Sequence, residues 1–249
     1  MSGPGGQAHV GAAVNRETER TVNLPNAISA ARIAVSPLIA LLPLLPSASW
    51  RSVAFLLYLV TAISDYFDGW LARTRGLITD LGKTLDPLAD KLLLVATFVP
   101  MLILQGAPTD PVSVFLGSLL PIPPGGRFAF PFVTWFGSFT LPWWVVAVVL
   151  GREVAMTVFR QMARARGVVI ASSWSAKWKA GLQYVWVGAA YFWFAWQTAG
   201  TQDGRGGVAW QVVGFTVGTI GVVMMSASVG LAFYSLVQYL RKHGALLAR

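Results

Sequence analysis

Apolar residues along the chain fall into six blocks, separated by polar, basic, or Pro- and Gly-rich breaks. The blocks run from about Leu24 to Leu45, Val53 to Leu71, Leu85 to Leu104, Leu141 to Gly167, Ala180 to Ala199 and Val208 to Tyr239. A helix rising about 1.5 Å per residue crosses a hydrocarbon core in roughly 20 residues, so each block is long enough to span. The pattern predicts an all-α, polytopic membrane protein with six transmembrane helices over residues 23–243. Asn23 or Asn26 suits the cap of the first helix, with Pro25 in its first turn, and Pro37 and Pro43 predict bends. Arg32 lies two turns into that block, where a charge is costly without a partner. It either reaches back to the interface along its alkyl stem or meets a bound anion or acidic side chains.

The breaks are equally informative. Residues 106–142 hold Pro108, Pro111, Pro121, Pro123, Pro124, Pro131 and Pro142 between apolar patches too short to cross a bilayer. This stretch is expected to be an external loop with a dipping or interfacial segment. Residues 1–22 form a polar, Gly-rich arm without the apolar core of a secretory signal, and residues 244–249 form a short tail. His9 has no ligand partner nearby in sequence and is given no role.

Composition sharpens the class. The chain is 55% hydrophobic and 12% charged, with mean hydropathy +0.60, outside the range of a soluble domain. Its net charge of +9 points to anionic lipid headgroups, and no nucleic-acid motif argues otherwise. Arg16, Arg20, Arg73, Arg75, Lys83, Arg164, Arg166, Lys177, Lys179, Arg241, Lys242 and Arg249 fall on one side of the six-span topology, against Arg51, Arg127 and Arg205 on the other. The positive-inside rule makes the first side cytoplasmic. The protein is therefore expected in the cytoplasmic membrane, with both ends inside. Without cysteine, disulfides and thiolate metal sites are excluded.

Candidate chemistry is concentrated in DYFDGWLARTRGLITDLGKTLDPLAD, residues 65–90, which hold five of the ten acids in the chain. Residues three and four apart share a helix face, so Asp65 pairs with Asp68 and Asp86 with Asp90. Gly76, Thr79 and Gly82 suit a turn between two antiparallel helices. The two pairs would then face each other as a four-carboxylate cup near the cytoplasmic surface. Close carboxylates repel unless cations neutralise them, and oxygen-only ligation suits Mg2+, Mn2+ or Ca2+. Two such ions would make a clamp for displacement at phosphorus. Gly69 and Ala72 leave room beside the acids, and Arg73 offers a fork for phosphate. Lys83 and Lys91 flank the second pair as surface charges or phosphate contacts.

Asp65, Asp68, Gly69, Ala72, Arg73, Gly82, Asp86 and Asp90 match every defined position of the signature of the CDP-alcohol phosphotransferase family, which this segment resembles. The resemblance implies replacement of CMP on a CDP-linked lipid by an incoming alcohol. It implies that Asp65, Asp68, Asp86 and Asp90 hold Mg2+ or Mn2+, two ions in all, and that Asp90 is the general base. Gly69, Ala72, Arg73, Asn26 and Ser29 would bound the CDP-lipid. No serine or cysteine nucleophile with a basic partner is evident, which favours direct transfer.

Further blocks are similar to the phosphatidylglycerophosphate synthase branch of that family: Asn23 to Arg32, Arg152 to Arg160, and Ala176 to Ala180 with both Lys177 and Lys179. The third block lacks the branch's Gly and Thr. This similarity implies CDP-diacylglycerol and glycerol 3-phosphate as substrates, with Arg160, Lys177, Lys179 and Arg152 near the acceptor phosphate. Homodimers are common in the family. Inositol phosphate, serine or phosphatidylglycerol are alternative acceptors. A different class, an ion or proton-coupled transporter, would place acids near mid-bilayer and open to both sides.

Overall fold

The computed structural model describes residues 24–75, 80–120, 122, 126–165 and 174–243. Helix α1, Leu24–Leu41, continues into a 3-10 turn, Leu42–Leu44. Helices α2, Ala48–Arg75, and α3, Asp80–Gln105, follow, then the short α4, Pro111–Ser118. A two-stranded antiparallel hairpin pairs β1, Phe132–Thr134, with β2, Gly137–Phe139. The chain closes with α5, Trp143–Ala165, α6, Trp174–Asp203, and α7, Val208–His243.

Among the described residues, three helical stretches are long and apolar enough to cross a membrane: Asn26–Leu44, Thr84–Gln105 and Val208–Gln238. Helices α2, α5 and α6 are of comparable length, at 28, 23 and 30 residues. Their apolarity is diluted by Asp65, Asp68 and Arg73 in α2, by Arg152, Glu153 and Arg160 in α5, and by Lys177, Lys179, Gln183 and Gln197 in α6.

The core is aromatic and lies where α2, α3 and α6 meet. Phe98 stands 5.0 Å from Trp186, and Tyr58 stacks on Tyr191 at 5.5 Å. Their polar tips are satisfied by backbone: the Tyr58 hydroxyl donates to the Tyr184 carbonyl at 2.9 Å, and the Tyr191 hydroxyl to the Ile39 carbonyl at 3.0 Å. Large rings thus bury area while their hydroxyls fix α6 against α1 and α2.

Residues 106–142 carry more structure than their prolines suggest. The Asp110 carboxylate accepts from Val112 N at 3.0 Å and Ser113 Oγ at 2.7 Å, capping α4, and from Trp143 N at 3.1 Å, at the start of α5. Backbone N–H groups of Phe128, Phe130 and Leu141 donate to the carbonyls of Ile103, Leu104 and Gln105. These are orphan acceptors of the α3 C-terminus, so the loop completes that helix. The hairpin lies on α7, where a Cβ at Gly218 would come within 2.0 Å of the Val133 carbonyl oxygen. Only glycine permits that approach.

Two local expectations are corrected. Gly82 lies inside α3, which already begins at Asp80, so it belongs to the helix and not to the turn. Asn26 is a buried residue within the first turn of α1 and is not its cap. Asn23, the N-terminal arm, the C-terminal tail and residues 76–79 lie outside the described residues.

Candidate active site

Helices α1, α3 and α6 begin, and α2 ends, at the same end of the bundle. That arrangement carries Ser29 and Arg32 on α1, Asp65 on α2, Asp86 and Asp90 on α3, and Tyr184 on α6 into one neighbourhood. Ser29 and Arg32 are one turn apart and share a face.

Arg32 is the hub. Its Nη1 donates to Asp65 Oδ1 and, at 3.1 Å, to Asp90 Oδ1, while its Nη2 lies 3.9 Å from Asp86 Oδ1. The Ser29 hydroxyl donates to Asp86 Oδ1. The Tyr184 hydroxyl donates to Asp65 Oδ2 at 2.6 Å, so both oxygens of that carboxylate are engaged. Exposure is graded: the Arg32 side chain is 2% exposed, Asp65 25%, Asp86 51% and Asp90 52%. The acids therefore line a mouth with the guanidinium beneath them. A buried guanidinium is tolerable only when paired, and the acids supply the pairing. Of the two readings of Arg32, the structure selects contact with the acids.

Asp65, Asp86 and Asp90 are thus brought together from two helices as the spacing requires. Asn26 and Ser29 are buried on the same stretch of α1. Asp68, Gly69, Ala72 and Arg73 ride on α2, Arg160 on α5, and Lys177 and Lys179 on α6, but their side chains lie outside the described residues. Arg152 is buried, and its Nη1 donates to Glu153 Oε1 at 2.6 Å. Its immediate partner is therefore an acid of its own helix.

Beside the cup is a cavity of about 200 Å³ whose wall includes Asp90, Thr97, Arg152, Glu153, Gln183 and Tyr184. Leu93, Leu94 and Val187 share the wall with these polar groups.

The donor chemistry, carboxylate oxygens without sulfur or imidazole, fits a hard divalent ion. The three described acids turn their Oδ1 atoms toward Arg32, and among the described residues no group of three acidic or histidine side chains is arranged around a common ion position. The residues fit the ion by type, with Arg32 holding the oxygens it would use.

Tyr184, Gln183 and Glu153 escaped the sequence reading as site residues. Tyr184 had a signal: it lies seven residues after Lys177 on one helix, hence on nearly the same face.

Known proteins bear on this arrangement. A family model described as CDP-alcohol phosphatidyltransferase matches residues 22–121 and 125–220. A Rickettsia bellii protein named CDP-diacylglycerol--glycerol-3-phosphate 3-phosphatidyltransferase is 44% identical over 80 residues, covering 32% of this chain and 44% of its own. A Bacillus subtilis protein of the same name is 30% identical over 179 residues, 67% of this chain and 75% of that one. A Streptomyces coelicolor cardiolipin synthase (CMP-forming) is 40% identical over 89 residues, 33% of this chain and 40% of its own. The chain thus spans less than half the length of the Rickettsia relative it matches. The family model covers most of the chain, including every residue that surrounds Arg32, and the chain belongs to the CDP-alcohol phosphatidyltransferase family.

Proposed function

We propose that this protein transfers the phosphatidyl group of CDP-diacylglycerol to glycerol 3-phosphate, forming phosphatidylglycerophosphate and CMP. The observation that carries the reading is the convergence of Asp65, Asp86 and Asp90 from two helices beside a cavity that reaches Asp90. The names of the Rickettsia and Bacillus relatives support the acceptor. Six spans, a cup opening to the cytoplasm and residence in the cytoplasmic membrane complete the proposal, on the positive-inside argument.

Asp65, Asp68, Asp86 and Asp90 would hold the divalent ions, Mg2+ or Mn2+, which supply charge neutralisation at the diphosphate. The chain's own residues do the rest. Asp90, half exposed and on the cavity wall, takes the proton of the acceptor hydroxyl. The acceptor oxygen bonds to the lipid-side phosphorus, the phosphoanhydride bond breaks, and CMP leaves with the bridging oxygen. Gly69, Ala72, Arg73, Asn26 and Ser29 bound the CDP-lipid. Arg160, Lys177 and Lys179 meet the acceptor phosphate, and Arg152, paired with Glu153, walls the cavity. Acids gathered at one end of the bundle favour a surface enzyme over a transport pathway through mid-bilayer.

The test is CMP release and product mass from CDP-diacylglycerol, using purified protein in nanodiscs with a panel of acceptors and Mg2+. Glycerol 3-phosphate is expected to drive CMP release, with unphosphorylated glycerol silent. The Streptomyces relative favours a second reading, phosphatidylglycerol as acceptor. Cardiolipin formation with glycerol 3-phosphate inactive would replace the first reading by the second.

A further inference from the structure

We infer that Arg32 competes with divalent ions for the acidic cup, so that this one guanidinium sets how much metal the site requires. The inference rests on the reading of the acids as metal ligands.

All three described acids present Oδ1 to the same guanidinium, which is almost wholly buried among them. A carboxylate oxygen whose lone pair is committed to Arg32 is a poorer donor to an ion. A fixed positive charge within about 4 Å also disfavours a second cation, and the more so out of bulk water. Asp65 is the acid most affected, because Tyr184 holds its other oxygen. The guanidinium is held by the carboxylates themselves, through Nη1 to Asp65 and Asp90 and Nη2 toward Asp86, while Ser29 anchors Asp86 by its hydroxyl. An ion binding the cup must therefore lengthen those contacts. Arg32 has two effects that a single substitution separates. It keeps the acids assembled when no other cation joins them, and it raises the metal concentration at which they are filled.

The experiment is a Mn2+ titration read by electron paramagnetic resonance, with thermal unfolding in parallel, on the wild type, Arg32→Gln, Arg32→Lys and Asp86→Asn. Arg32→Gln is expected to bind Mn2+ at about tenfold lower concentration, because removal of a nearby like charge favours the ion. Its thermal transition should fall without metal and gain more from added metal than the wild type does. Arg32→Lys keeps the charge and should bind within about threefold of the wild type, losing only the forked geometry. If Arg32→Gln binds Mn2+ no better than the wild type while Asp86→Asn loses the ion, the competition is refuted and the metal reading stands. If the wild type and Asp86→Asn bind alike, the metal reading itself fails. Should Arg32→Gln not fold, dicarbonyl labelling of wild-type Arg32 decides. Labelling that rises with Mn2+ supports displacement, and an unchanged rate overturns it.

Discussion

Two arginines are buried at opposite ends of the bundle, and their surroundings could hardly differ more. Arg32, 2% exposed, faces three carboxylates, whereas Arg51, 3% exposed, faces none among its described contacts. Arg51 Nε donates to the Pro43 carbonyl at 2.8 Å, its Nη1 donates to the Thr198 hydroxyl, and its guanidinium lies 4.3 Å from the centre of the Phe130 ring. Neutral acceptors and an aromatic face clamp the 3-10 turn, α2, α6 and the loop around a single charge that they solvate with dipoles. Around Arg32, three carboxylates against one guanidinium leave an excess of negative charge among the described side chains. The first arginine is held for structure. The second belongs to a group whose charge invites a further cation.

If that contrast is right, substitutions at the two ends should separate activity from stability. The largest effect is expected at the acids: Asp86→Asn should lower turnover by about a thousandfold, the scale of losing a group that organises charge in a transition state. Its thermal transition should hold or rise, because a repelling charge is gone. Arg51→Ala should do the reverse. Losing hydrogen bonds and a ring contact at a buried site should cost about 2–3 kcal/mol, read as a lower thermal transition, with turnover per folded molecule unchanged. Arg160→Ala should raise the apparent KM for glycerol 3-phosphate by about tenfold while leaving that for CDP-diacylglycerol alone, as expected for loss of a charge-assisted contact to phosphate. An unchanged KM would remove Arg160 from the acceptor pocket. Tyr184→Phe is the mildest: loss of one hydrogen bond to Asp65 should reduce kcat by about threefold, with stability altered by about 1 kcal/mol or less. A change in stability alone would make Tyr184 only a packing residue.

The sequence carried the acidic end further than the opposite one, for a physical reason. Helical spacing alone puts Asp86 beside Asp90 and Asp65 beside Asp68, so the cup was legible as acids on two helices, with Arg32 marked only as a charge that needs either the interface or a partner. The choice between interface and acids for Arg32 needed the packing of α1 on α2 and α3, which no local pattern encodes. The contacts of Arg51 were illegible because they come from three other elements, the Pro43 carbonyl, the Thr198 hydroxyl and the Phe130 ring, and the reach of Asp110 beyond its own helix to the Trp143 N–H was illegible for the same reason. The hairpin was missed because its strands are three residues each and owe their place to Gly218 and Gly221 on another helix. Tyr184 read as one more aromatic in a helix full of them; its place on the Lys177 face was the one signal, and its reach to Asp65 shows what that signal meant.

Asp90 is the residue on which cup and cavity meet, and its substitution decides whether the two form one catalytic site. Purified Asp90→Asn in nanodiscs, with CDP-diacylglycerol, glycerol 3-phosphate and Mg2+, is expected to release no CMP above background while unfolding at the wild-type temperature. Release of CMP and phosphatidylglycerophosphate at the wild-type rate would contradict it.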